Sequence, residues 1–96
     1  MTKILITEFI NQDSLNNLKK KFEVKYDENL CENNKELEKK IKDCDGLIVR
    51  NKTLVNSKIL DNANNLKFIG RLGVGLDNID TEYCKNNDIL YRYYPN

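Results

Sequence analysis

Short apolar runs and polar stretches of helical period alternate along the whole chain. Lys3 to Thr7 (KILIT) is an apolar run of strand length and reads as a buried strand. After it, Asp13 or Ser14 is placed to cap a helix whose Leu15, Leu18 and Phe22 fall near one face. Glu23 to Tyr26 (EVKY) alternates, which puts Val24 and Tyr26 on one side of a short strand. Asn33 or Asn34 opens a second helix, with Leu37 and Ile41 as its core stripe. Gly46 then introduces GLIV, a near-continuous apolar strand ending at Arg50. Asn56 caps a third helix, and Val55 and Leu60 occupy the two positions of a hydrophobic staple. Leu66 to Ile69 (LKFI) is a fourth strand running into Gly70 and Arg71. Asp80 caps a helix from Thr81 to about Asn87, and Ile89 to Tyr93 is a last strand, ended by Pro95.

The order is β-α-β-α-β-α-β-α-β. A chain that alternates in this way builds a parallel sheet with helices on both faces, joined by right-handed crossovers. With five strands, the expected architecture is α/β, a flavodoxin-like three-layer sandwich of strand order 2-1-3-4-5. Residues 1–96 are expected to form one domain. The chain stops within three residues of its last strand, without the closing C-terminal helix such a sheet usually carries. One face of the edge strand is therefore expected to be bare.

Composition narrows the function classes. The hydrophobic fraction of 40% supports one modest core. Charged residues make up 32%, but the signs nearly cancel at +1, which leaves no footprint for nucleic acid or membrane. Any anion site must be local. No apolar run approaches the roughly 20 residues of a membrane span. The start, MTKILITEF, lacks the apolar region and cleavage site of a signal peptide, so a cytoplasmic protein is expected. Cys31, Cys44 and Cys84 are widely spaced and form no CxxC, which argues against a disulfide framework or zinc site; Cys44 and Cys84 read as small buried apolar residues. Histidine is absent, which excludes a Ser-His-Asp triad, a Cys-His pair and a His-metal cluster within this chain. No catalytic residue and no metal ligand is assigned.

In an open parallel sheet, ligands bind beyond the carboxyl ends of the strands. Arg50 follows the third strand and Arg71 the fourth, and in the order 2-1-3-4-5 those strands are neighbours, about 4.8 Å apart. Two guanidinium groups are thus expected to rise from one edge beside a loop of exposed amides, a small anion site for carboxylate or phosphate oxygens. The bland alternative is that each arginine ends its strand in water and pairs with Glu8 or Asp77. The loop itself, GRLGVGLDNID (residues 70–80), holds three of the four glycines. It is not a dinucleotide fingerprint, because position 78 is Asn and the loop follows the fourth strand instead of the first. Gly73 and Gly75 read as a turn needing positive φ, which is compatible with amides pointing at an anion.

GRLGVGLDNID is similar to the GRxGxGxDNxD segment of the D-isomer-specific 2-hydroxyacid dehydrogenases, and resembles most the D-3-phosphoglycerate dehydrogenase branch. DGLIVRNKTLVNSKIL resembles the strand–Arg–x–x–Thr–x–Val stretch that precedes it in the family, LKFIG the strand leading into the loop, and DILYRYYPN the stretch before the hinge. The resemblance covers the whole chain and is strongest from Asp45 to Asp80. It implies the first segment of a flavodoxin-like substrate domain. The nicotinamide-binding domain, with its GxGxxG and the catalytic Arg, Glu and His, follows in the family, and a far C-terminal helix returns to complete the substrate domain.

Carried over position by position, the resemblance makes Arg50 and Arg71 contacts to the substrate's carboxylate or phosphate. Asn51, Gly73 and Val74 become backbone lining of the substrate, with Val74 also facing the nicotinamide edge. Asp77, Asn78 and Asp80 shape the turn. Three positions depart from the family: Leu72 stands where Ala is common, Asp88 replaces a glycine at a helix end, and Tyr93 replaces the hinge asparagine. The implied function is the substrate-domain portion of an NAD-dependent D-2-hydroxyacid oxidoreductase, in the phosphoglycerate case an enzyme of serine biosynthesis, with NAD bound in the full-length enzyme and not tightly by this chain. The implied partner is a phosphorylated or simple 2-hydroxy or 2-oxo acid, with a homodimer possible. Two alternatives stay open: a free-standing, non-catalytic module binding an anion or a protein, and a fragment of a glycerate or hydroxypyruvate reductase.

Overall fold

The computed structural model describes residues 1–95. Five parallel strands, β1 (Lys3–Ile6), β2 (Glu23–Tyr26), β3 (Gly46–Val49), β4 (Phe68–Leu72) and β5 (Leu90–Tyr94), form one sheet of order β2-β1-β3-β4-β5. Between them run α1 (Gln12–Lys21), α2 (Asn34–Lys40), α3 (Ser57–Leu60) and α4 (Thr81–Asn86), with single 3-10 turns at Leu30–Glu32 and Ile41–Asp43. The expected architecture and strand order are both observed.

Side chains of successive strand residues point to opposite faces, so the sheet has two cores. On one face Leu5, Leu47, Val49 and Ile69 pack against α2, α3 and α4 through Leu37, Ile59, Leu60 and Cys84. On the other, Ile4 and Ile6 meet Leu15 of α1, with Leu18, Phe22, Val24 and Tyr26 around them. Val24 and Tyr26 share a side, as the alternation in EVKY requires. A single helix covers this second face, and it lies over the β2–β1 side. Over β4 and β5 the face is open: Leu90 and Tyr94 are 73% and 52% exposed. A groove of about 700 Å³ runs there, floored by Ile48, Phe68 and Leu72 and walled by α1. The Phe68 ring lies so close over Gly46 that a side-chain carbon there would meet it at 2.1 Å.

Each helix is capped by the side chain of an Asn or Asp. Asn11, Asn33, Asn56 and Asp80 accept from the amides of Ser14, Glu36, Ile59 and Tyr83 at 2.8, 3.2, 3.1 and 3.0 Å. Three of the four caps are asparagine, so part of the asparagine content has a structural use. The first cap corrects the expectation of Asp13 or Ser14: the helix begins earlier, and Asp13 sits in its first turn, where a negative charge suits the helix dipole. Val55 and Leu60 are both buried, as the staple requires.

β4 also departs from expectation. It starts at Phe68 and reaches Leu72, so Arg71 lies inside the strand instead of after it. Gly70 and Arg71 have no strong strand preference, but both neighbours supply partners: Val49 pairs with Arg71, and Arg71 with Tyr93. Pairing from two sides overrides local propensity. At the end of α4, Asp88 takes φ 55°, the left-handed conformation that a glycine would adopt without cost.

Candidate functional site

The carboxyl edge of the sheet carries two loops, and different residues fasten each. The loop after β3, Arg50 to Thr53, is held through its backbone. Glu8 follows β1, the neighbour of β3, and its carboxylate is buried beneath this loop. Oε2 accepts from the amides of Arg50 (2.8 Å) and Thr53 (2.9 Å) and from Thr53 Oγ1 (2.7 Å), and Oε1 accepts from the amide of Lys52 (3.0 Å). The Thr53 hydroxyl has one proton and gives it to Glu8, so Thr7 Oγ1, 2.7 Å away, must donate to Thr53. Burial pushes the Glu8 carboxyl up, but these four hydrogen bonds outweigh it and hold the group below its ordinary carboxylate value. Glu8 is thus a buried anion satisfied by amides and a hydroxyl, without a cationic partner among the described residues.

Held in this way, the loop leaves the Arg50 side chain free. Its guanidinium makes neither a hydrogen bond nor an ion pair among the described residues. Arg50 borders both the open groove and a smaller cleft of about 210 Å³, lined also by Phe9, Asn51 and Lys52.

The loop after β4 is fastened by a side chain. Arg71 is only 7% exposed. Its Nε donates to Asn78 Oδ1 at 3.2 Å, Nη1 donates to the Val74 carbonyl at 2.7 Å, and Nη2 lies 3.7 Å from Asp77. The guanidinium turns back into its own loop, so the expectation of two arginines presented alike at one edge fails for Arg71. The pairing with Asp77 named in the bland alternative is present, between a buried guanidinium and a carboxylate that is itself exposed. Gly73 and Gly75 take φ 126° and 93°, the turn expected of them. Gly73 has a second reason to be glycine, since a Cβ there would stand 2.6 Å from Arg71 Nη1.

Asn78 joins the two loops. While its oxygen accepts from Arg71, its Nδ2 donates to the carbonyls of Arg50 (2.7 Å) and Thr53 (2.8 Å). The backbone adds a parallel bridge between Val55 and Ile79, with the Val55 amide donating to the Asn78 carbonyl at 2.8 Å. Sequence reasoning gave Asn78 only a turn-shaping role and Glu8 only a place as an ion-pair partner. The signal for Glu8 was its position, an acidic residue leaving the strand next to β3, with two threonines in reach.

The expected loop of exposed amides is only partly open. The Gly73 N–H donates to the Tyr94 carbonyl at 2.9 Å, so it is spent on the sheet edge. The Val74 and Gly75 N–H groups carry no hydrogen bond among the described residues, and the Val74 side chain is 72% exposed. Two free amides, one free guanidinium and exposed Asn51 are a set that can receive a small anion. The three thiols are free, and burial pushes that of Cys44 up to about 11, too high for a nucleophile at neutral pH.

Residues 4–96 match the model of the D-isomer specific 2-hydroxyacid dehydrogenase catalytic domain. The chain belongs to the D-isomer-specific 2-hydroxyacid dehydrogenases. Among family members, it is 41% identical over 90 residues to D-3-phosphoglycerate dehydrogenase of Methanocaldococcus jannaschii, covering 94% of this chain and 17% of that protein. It is 37% identical over 89 residues to (S)-sulfolactate dehydrogenase of Chromohalobacter salexigens, covering 93% of this chain and 29% of that protein. The crystal structure of 3-phosphoglycerate dehydrogenase from Entamoeba histolytica, with NAD+ bound, superposes with a TM-score of 0.83 at 26% identity, over 96% of this chain and 32% of that one. The chain thus spans less than a third of each of these dehydrogenases. Among the described residues, no helix is long and apolar enough to cross a membrane.

Proposed function

We propose that this chain is the substrate-binding portion of an NAD-dependent D-2-hydroxyacid dehydrogenase whose substrate is D-3-phosphoglycerate, the entry to serine biosynthesis. The observation that carries the reading is the Arg50 guanidinium at the carboxyl edge, unpaired among the described residues, on a loop joined by Asn78 to the loop whose Val74 and Gly75 amides are likewise unbonded. A 2-hydroxy acid with a second anionic group suits such a set: amides for one set of oxygens, a guanidinium fork for the other. The similarity to a named D-3-phosphoglycerate dehydrogenase supports the phosphorylated substrate. Arg50 takes the charged contact and Asn51 lines the site. Arg71 and Gly73 keep the loop in shape from within, and Val74 supplies an amide and an exposed apolar wall.

We place no dinucleotide site on the glycine turn of the loop after β4. The Gly73 amide is already bonded, and the glycine turn encloses Arg71. No step is assigned to NAD here; when bound, it supplies the hydride acceptor. Exposed Val74 is the residue of this chain available to the nicotinamide edge.

Titration of the 15N-labelled chain with D-3-phosphoglycerate, D-glycerate and sulfolactate tests the reading. Shifts at Arg50, Asn51, Val74 and Gly75, strongest with phosphoglycerate, are expected. Equal response to D-glycerate transfers the assignment to a glycerate or hydroxypyruvate reductase, and no response at those residues overturns the site. One observation favours a second reading, a protein-docking module or homodimer: the apolar groove beside α1, with Leu90 and Tyr94 exposed at its side. Sedimentation equilibrium checks it, and a monomer at high concentration counts against self-association.

A further inference from the structure

The amides of the Arg50–Thr53 loop have the makings of an anion site of their own, since three of its N–H groups converge on one point. That point is already occupied by the chain itself, because the Glu8 carboxylate accepts from Arg50, Lys52 and Thr53 at 2.8 to 3.0 Å. An internal anion therefore takes three of the four N–H groups of this loop from external anions and leaves the Asn51 amide and the side chains to meet them. We propose that Glu8 is a positioning residue, which binds no substrate but holds the Arg50–Thr53 loop so that the Arg50 guanidinium faces the anion site. The inference rests on the substrate reading above.

Three features of Glu8 fit a clamp better than a surface carboxylate. It is 4% exposed and has no cationic partner among the described residues, so its charge is balanced by loop donors. Both of its oxygens are used, which fixes the orientation of the loop as well as its distance. Thr7, the residue before it, seconds the contact through its hydroxyl to Thr53, so two consecutive residues directly after β1 hold the loop. From the other side Asn78 pulls on the carbonyls of Arg50 and Thr53. The loop is gripped by its N–H groups from β1 and by its C=O groups from the β4 loop. Little freedom remains except in the side chains of Arg50, Asn51 and Lys52.

The test uses the 15N-labelled chain as wild type, Glu8→Gln and Glu8→Asp. In folded Glu8→Gln the amide signals of Arg50, Lys52 and Thr53 should move upfield and exchange faster, and the affinity for D-3-phosphoglycerate should fall at least tenfold. Glu8→Asp, which keeps the charge, should recover part of both. A folded Glu8→Gln chain with unchanged affinity overturns the positioning role, and amide signals that stay in place overturn the clamp. Wild-type chain that ignores phosphoglycerate while its variants still show the amide changes overturns the substrate reading, and with it the positioning role, but leaves the clamp standing. If Glu8→Gln fails to fold, acid titration of the wild type replaces it. The three amides should then shift together, with one midpoint below the ordinary glutamate value. Glu28, Cys31 and Glu32 from the segment after β2 border the same cleft, as do the side chains of Arg50 and Lys52, so the three amides must move as a set distinct from the amides of Glu28, Cys31 and Glu32. No joint step before acid unfolding overturns the proposal.

Discussion

Arg50 and Arg71 stand at the carboxyl ends of neighbouring strands, yet they do opposite work. The Arg50 loop is tied down through its backbone, by Glu8 below and Asn78 beside it, and its guanidinium engages none of the described residues. The Arg71 loop is tied down by the guanidinium itself, which is buried and donates to Asn78 and the Val74 carbonyl, with the exposed Asp77 carboxylate beside it. What the first loop presents, the second leaves in its amides at Val74 and Gly75. The difference teaches that a charged residue at a ligand-binding edge is available only when something else holds its loop. Where no buried carboxylate is supplied, the arginine becomes the fastener.

That contrast can be broken by substitution, and the largest effect should come from Arg71→Ala. It removes two charge-assisted hydrogen bonds and leaves Asn78 Oδ1 and the Val74 carbonyl unsatisfied, at a cost of about 3 kcal/mol in unfolding free energy measured with urea. A loss under about 1 kcal/mol would mean that the buried arginine is not the fastener. Gly73→Ala attacks the same contact from the other side, by placing a Cβ 2.6 Å from Nη1 at a φ of 126°. About 2 kcal/mol of destabilisation is expected from the strained backbone, again by urea titration.

The Glu8 clamp should show a pH signature. Its folded-state pKa is held below the ordinary value, so its contribution is fully present above that ordinary value and is lost as pH falls through the folded one. In urea titrations over a pH series, the stability gap between wild type and Glu8→Gln should narrow below the usual carboxylate range and stay constant above it. A gap independent of pH would remove the charge from the explanation. The smallest effect on stability belongs to Arg50→Ala, within about 0.5 kcal/mol, because no partner in the fold is lost. Binding of D-3-phosphoglycerate should nonetheless weaken by about 1.5–3 kcal/mol, the range for charged hydrogen bonds. If Arg50→Ala were instead the destabilising variant and Arg71→Ala the silent one, the roles given to the two arginines would have to be exchanged.

Much of this molecule was legible without coordinates. Apolar runs of strand length separated by amphipathic stretches led to all five strands and the order 2-1-3-4-5, because a parallel sheet with right-handed crossovers leaves few alternatives. The errors were local. Asn11 was passed over because Asp13 and Ser14 are equally good caps, and only the path of the chain decides which oxygen reaches an amide. The end of β4 was misplaced because glycine and arginine look like a loop until two neighbouring strands are there to pair with them.

The candidate site divides in the same way. Spacing and topology put Arg50, Asn51, Arg71 and Gly73 at strand ends of one edge and identified the positive-φ turn, and the family resemblance added Val74. Which arginine is free was settled by contacts between segments far apart in sequence: Glu8 with the loop over forty residues later, and Asn78 with carbonyls 28 and 25 residues earlier. A linear pattern encodes which residues a strand end carries, because side-chain alternation and turn chemistry are local. It does not encode where a long, flexible guanidinium points, because that depends on which donors and acceptors the folded chain has left unsatisfied nearby.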